Sequence, residues 1–150
     1  MHELYEEAER NNIRIYVGSL PAAKALSIPG YVALDWSLAY TMAEERYHTG
    51  HELGHCIRYA FYMKNDPDYI IKRCENKADK WAIKKLVPED ELEEAVAMGI
   101  TEPWDLAEYF VVPQWFMELA IWYYRTGSLA MPRRPQHPSS AAGHDYGNVS

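Results

Sequence analysis

The sequence predicts an α+β fold, a small antiparallel β-sheet packed beside an α-helical bundle. Two observations carry that expectation. Before residue 36, β-branched and aromatic residues occur in short runs separated by glycine and proline, as in Ile13-Arg14-Ile15-Tyr16-Val17. After residue 40 the apolar residues recur three and four apart over stretches long enough for helices. At 150 residues the chain has room for one core and no second. The reading is one domain over 1–129 and a disordered tail over 130–150, where Gly, Pro, Ser and Ala dominate and three of the nine prolines fall within Pro132–Pro138.

The elements follow in order. Residues 3–11 read as a short helix, with Leu4 and Ala8 four apart among acids and Asn11-Asn12 at its end. The run from Ile13 to Val17 is a strand, broken by Gly18-Ser19-Leu20-Pro21. A second strand is expected near Lys24–Ile28, and a third over Tyr31–Asp35 after the turn dipeptide Pro29-Gly30. Short connections make an antiparallel meander the economical arrangement. Thr41-Met42-Ala43-Glu44 is a capping-box pattern that starts a helix expected to reach about Met63, weakened at Gly50 and Gly54 by roughly 1 kcal/mol each relative to Ala. A second long helix covers about Asp68–Leu86 and stops before Pro88. Pro88 and the acids after it open a third, with Gly99 beyond its end. Thr101-Glu102-Pro103 begins a short fourth through Phe110, and a very aromatic fifth spans about Pro113–Thr126.

Composition narrows the function. Fifteen Lys and Arg stand against 22 Asp and Glu, a formal net charge of −7. Such a chain is poorly matched to a phosphate backbone, so direct nucleic-acid binding is not expected. No apolar run approaches 18 residues, so no membrane span is expected. The acidic N-terminus has no signal-peptide core, and two cysteines, Cys56 and Cys74, make no disulfide framework. The expected compartment is the cytoplasm.

The sharpest chemical feature is His51-Glu52-Leu53-Gly54-His55, an H-E-x-x-H pattern inside an expected helix. Residues four apart on a helix share a face, with Cβ atoms roughly 5–6 Å apart, so both imidazoles can meet one ion. Glu52 is turned about 100° from His51, which suits it to reach a water on the metal rather than to be a ligand. In zinc peptidases that glutamate is the general base. A catalytic zinc needs a third protein ligand and an open position. Twenty residues after His55, on the next helix, stands Glu75-Asn76-Lys77-Ala78-Asp79. Glu75 can complete the ligand set, and Asp79, four residues on, can accept a hydrogen bond from a ligand histidine. His48 shares the face of the other two histidines and is read as a partly exposed neighbour. Cys56 and Cys74 are read as small buried hydrophobes. Tyr47, Tyr59, Tyr62 and Tyr69 lie near the motif, and the sequence does not choose among them as a group that would stabilise an oxyanion. The third strand offers an edge to an extended peptide in this reading.

These residues also carry a resemblance. His51-Glu52-Leu53-Gly54-His55-Cys56, then Cys74-Glu75-Asn76-Lys77-Ala78-Asp79-Lys80-Trp81-Ala82 and Leu86-Val87-Pro88, resemble the ImmA/IrrE-type metallopeptidases, small gluzincin-like enzymes often encoded on phages and integrative elements. The likeness covers about residues 13–126, with the specific motifs in 41–88. It implies a zincin-like fold, zinc bound by His51, His55 and Glu75, and Glu52 as the base. It also implies an endopeptidase whose protein substrate is a helix-turn-helix repressor of a mobile element. No counterpart of the extra C-terminal domains of the longer members is expected within these 150 residues.

Two rivals stand beside that reading. Leu106–Pro113 and the helix after it have the cadence of a helix-turn-helix, so residues 101–126 could form a non-enzymatic interaction or DNA-binding module with the metal as a staple. Against DNA, this segment carries Glu102, Asp105, Glu108 and Glu118 but only Arg125. A structural zinc is also usually closed by four ligands. The other rival is a zinc hydrolase acting on a small substrate.

Overall fold

A computed structural model describes residues 1–21, 23, 25–37 and 41–132 of the chain. Helix α1 (His2–Arg10) is followed by strands β1 (Arg14–Val17), β2 (Ala25–Ile28) and β3 (Tyr31–Leu34). Five helices come next: α2 (Met42–Ile57), α3 (Asp68–Leu86), α4 (Glu89–Ala97), α5 (Pro103–Phe110) and α6 (Gln114–Thr126). The fold class is α+β, as the sequence predicts. The stretch 133–150, most of the expected tail, lies outside the described residues.

The sheet is mixed, not an antiparallel meander. Its order is β1-β3-β2, with β3 parallel to β1 and antiparallel to β2. Only β2 and β3 form a hairpin, through Pro29-Gly30, where Gly30 takes φ 81°. The segment after Val17 carries the chain past the place beside β1, and β3 fills it. Asp35 anchors this crossing by accepting the Leu20 amide at 2.9 Å. The central position of β3 also removes its expected role as a free edge. The edges are β1 and β2, and β2 lies against α2.

Helix α2 starts as predicted. Thr41 Oγ1 accepts the Glu44 amide, and the Glu44 carboxylate accepts the Thr41 amide. It ends at Ile57, six residues short of the expected Met63. The Tyr59 amide bonds the Cys56 carbonyl at 3.2 Å and the Ala60 amide bonds the His55 carbonyl at 2.9 Å. Those bonds form a Schellman turn, in which one residue must be left-handed. Here that residue is Tyr59, at φ 48°, and no glycine marks the stop. Asn12 after α1 and Val111 after α5 take the same conformation at 54° and 53°. Only Gly99 and Gly127 mark their helix ends in the usual way.

Helices α2 and α3 form the most extensive helix pair. Gly54 lets them meet: a Cβ there would lie 2.7 Å from the Ala78 carbonyl oxygen and 3.0 Å from its Cα. Gly50, one turn earlier, faces the Leu86 side chain at 3.0 Å. The two glycines that weaken α2 as an isolated helix are therefore its contact surface. Leu53 points into the core beside them and is fully buried.

One apolar cluster runs from Leu4 and Ala8 through Val32, Leu34, Ile83 and Leu86 to Phe116 and Leu119. A second, smaller cluster joins Ala60, Tyr62 and Cys74, with Ile70 and Ile71 against it. Helix α1 is tied down by Lys85, whose ammonium reaches Glu7 at 2.7 Å, and by the Arg46–Glu3 pair. Among the described residues no helix is long and apolar enough to cross a membrane.

Candidate metal centre

His51 and His55 lie one turn apart on α2, and Glu75 comes from α3. One ligand atom from each falls within 4.8 Å of the other two. The two Nε2 atoms are 3.1 Å apart, Glu75 Oε2 is 3.0 Å from His51 Nε2, and Oε1 is 3.2 Å from His55 Nε2. Ligands sitting at about 2.0–2.1 Å in a tetrahedron are about 3.3–3.4 Å apart, so the spacing is close to that of a coordination shell.

The far sides of both rings fix which nitrogen faces inward. His51 Nδ1 is 2.8 Å from Asp79 Oδ1, and His55 Nδ1 is 2.7 Å from the Ala60 carbonyl oxygen. Both partners are acceptors, so each Nδ1 carries the hydrogen. Each Nε2 of a neutral ring then turns a lone pair toward the same point as the Glu75 carboxylate. Three acceptors facing one another at this distance need a cation between them, either a proton or a metal ion. Burial alone disfavours charge on His51, but Asp79 and then Glu75 outweigh it and hold its pKa well above the ordinary value. Glu75 shows the reverse balance. Its burial raises the pKa, and His51 and His55 together pull it well below the usual carboxylate range.

The supporting groups come from several elements. Tyr47, one turn before His51, donates its hydroxyl to Asp79 Oδ1 at 3.2 Å. Its ring packs edge-on to Trp115, 4.6 Å between centroids, and against Phe116 at 4.9 Å. The aromatic helix α6 thus backs the Asp79–His51 pair. Tyr62, on the segment after α2, donates its hydroxyl to Glu75 Oε1 at 2.6 Å. Burial, and then the charge of Glu75, push its phenol pKa up, so it keeps its proton and donates. Tyr59 and Tyr69 are exposed and stand apart from this network.

Each residue singled out in the sequence has a definite place. His51, His55 and Glu75 converge, and Asp79 meets His51. Glu52 is fully buried on α2 beside His51, near enough for its charge to act on Tyr62 and Cys56. His48 is buried at 7% exposure, not partly exposed as expected, and does not belong to the ligand group. Cys56 donates its thiol to the Ile28 carbonyl at 3.4 Å and pins α2 to the β2–β3 turn. Burial, more than the charge of Glu52, pushes that thiol up to about 12. Cys74 is buried, and its thiol reaches the Phe61 carbonyl at 3.5 Å.

Two contributions lay beyond the sequence reading: the Ala60 carbonyl, and the bond to Glu75 from Tyr62, one of four tyrosines the sequence did not choose among. Both depend on the turn at Tyr59. In a continuing helix Tyr62 would lie about 10 Å along the axis from His55. The turn brings its ring to 6.1 Å from the His55 ring instead.

Comparison of the chain with protein-family profiles, with curated proteins and with solved structures finds no match in any of the three.

Proposed function

We propose that this chain is a zinc-dependent endopeptidase. The observation that carries the reading is the convergence of two imidazole Nε2 lone pairs and one carboxylate on a single point, with both outer nitrogens already bonded. The donor set, two histidines and a glutamate, is the one zinc takes in hydrolytic sites that keep a position open. A bound zinc supplies Lewis acidity, which acidifies a water and polarises a carbonyl.

The chain's own residues do the rest. His51 and His55 hold the ion from one helix turn, and Glu75 closes the set from α3. Glu52 is the general base: it takes a proton from water and passes it to the leaving amine. Asp79 and the Ala60 carbonyl keep the histidines in the tautomer that ligates. An extended substrate segment adds to the edge of β2, the edge strand beside α2. In this reading the substrate is a protein, a helix-turn-helix repressor of a mobile element, as the motif's likeness to the ImmA/IrrE-type metallopeptidases suggests. The α5–α6 pair serves packing rather than DNA, because Phe116, Met117, Leu119 and Ala120 of α6 are spent on the core. The reading places the protein in the cytoplasm.

Elemental analysis of three proteins tests this. Wild type carries about one zinc per chain, Glu75→Ala far less, and Glu52→Gln nearly as much as wild type. Mixed with the repressor, wild type produces one discrete pair of fragments and Glu52→Gln none. Metal-supplied wild type without zinc, or Glu52→Gln with full cleavage activity, overturns the proposal.

A further inference from the structure

Tyr62 stands outside the ligand group, yet its hydroxyl meets one chosen ligand atom. It lies 2.6 Å from Glu75 Oε1, in the range of a strong hydrogen bond to a charged oxygen. The hydroxyl is not there by chance of a mobile side chain. Tyr62 is only 6% exposed and sits in its own apolar cluster with Ala60 and Cys74. Its ring stands edge-on to His55, and the neighbouring Phe61 carbonyl is held by the Cys74 thiol. The same short segment therefore orients two ligands: His55 through the Ala60 carbonyl, and Glu75 through the Tyr62 hydroxyl.

The two oxygens of Glu75 are thereby made unequal. Both face an imidazole, Oε2 at 3.0 Å from His51 Nε2 and Oε1 at 3.2 Å from His55 Nε2, but only Oε1 also accepts the Tyr62 hydroxyl. We propose that Tyr62 is a positioning residue that restricts Glu75 to one-oxygen coordination of a bound metal ion: with both oxygens within reach of the imidazoles, the tyrosine retains Oε1 and leaves Oε2, beside His51, to the ion. This rests on the metal reading of His51, His55 and Glu75. Its chemical consequence is a free coordination position. A carboxylate gripping an ion through both oxygens would fill the place that a hydrolytic site keeps for water or substrate.

The test uses cobalt(II) chloride added to the metal-free full chain, with visible absorption as the readout. Four-coordinate cobalt absorbs several-fold more strongly in the visible than five-coordinate cobalt. Wild type gives the intense four-coordinate bands. Tyr62→Phe, which keeps the ring and its packing, releases Oε1, and the bands fall several-fold and shift. An unchanged spectrum in Tyr62→Phe overturns the inference. Zinc X-ray absorption of wild type gives a check that needs no variant: a single carboxylate oxygen at about 2.0–2.2 Å is expected, and two equivalent oxygens overturn it. Glu75→Ala separates the two levels. If that variant binds cobalt with wild-type affinity and spectrum, the metal reading itself fails and takes this inference with it. If Glu75→Ala loses the bands while Tyr62→Phe keeps them, only the role of Tyr62 fails.

Discussion

The Nε2 atoms of His51 and His55 face each other across 3.1 Å, and neither ring can turn away. Asp79 holds the first by its outer nitrogen, and the Ala60 carbonyl holds the second. One anchor is a side chain and can be removed. The other is backbone and depends on the turn that ends α2.

Asp79→Ala frees His51 to rotate and to place its hydrogen on either nitrogen. Metal affinity then falls about 10- to 100-fold, the usual loss when the outer partner of a ligand histidine is removed. Competition against a chromogenic chelator measures it. Affinity within twofold of wild type would mean that Asp79 does not set the ring.

Gly54→Ala separates helix propensity from packing. Propensity alone favours alanine by about 1 kcal/mol. The added Cβ would meet the backbone of Ala78 at 2.7 Å, which cannot move without displacing α3. A net loss of about 1–3 kcal/mol is expected. Gly50→Ala meets only the end of the Leu86 side chain and loses less. Urea unfolding of both variants without metal gives the order, and a more stable Gly54→Ala would contradict the close approach.

The ion pair between Glu7 and Lys85 makes part of the stability pH-dependent. The hydrogen bond from Lys85, more than any other influence, holds the Glu7 carboxyl below its ordinary pKa. A carboxyl lowered on folding stabilises the native state above its unfolded pKa, near 4.3. That contribution is lost as the pH falls through the lower folded value. Lys85→Met is expected to cost about 0.5–1 kcal/mol, a partly exposed pair at the upper end of its range. The difference from wild type stays level from about pH 7 to about pH 5 and shrinks in more acid solution. Thermal melts across that span check it, and a difference that grows toward acid would contradict the sign.

Tyr59→Gly relieves a left-handed residue that carries a side chain, at a site 74% exposed. A gain of about 1 kcal/mol is expected, or about 2–4 °C in melting temperature. The comparison is made on the metal-free chain by calorimetry. A lower melting temperature would show that the contact of its ring with Phe61 outweighs the backbone relief.

What the sequence disclosed, and what it hid, follows from the range of each signal. His51, His55, Glu75 and Asp79 were legible because a helix converts a spacing of four into a shared face, and two such spacings sat on successive helices. Helix α3 was read to its observed ends because Asp68 and Pro88 bound it. The end of α2 was not legible, because Tyr59 performs a turn that local chemistry assigns to glycine. The bond from Tyr62 to Glu75 was hidden with it, so Tyr62 stood only as one of four tyrosines near the motif. Strand order was hidden for a different reason: four-residue strands state that they pair and do not state with which neighbour. Gly54 was legible as a weakness of one helix, since its use lies entirely on the other.

The central place of β3 has a consequence for how the chain comes into being. It is the last of the three strands to be synthesised, and both others pair only with it. Residues 14–28 therefore leave the ribosome with no strand to join. The hairpin of β2 and β3 closes first, on a scale of about 1–10 μs once both are free, and β1 must then find it from a distance. Sheet assembly is thus delayed until Tyr31–Leu34 emerges, shortly before the helix that bears the two histidines. Any pause in translation at that point would hold back the sheet on which α2 packs, before either helix that carries His51, His55 and Glu75 is made.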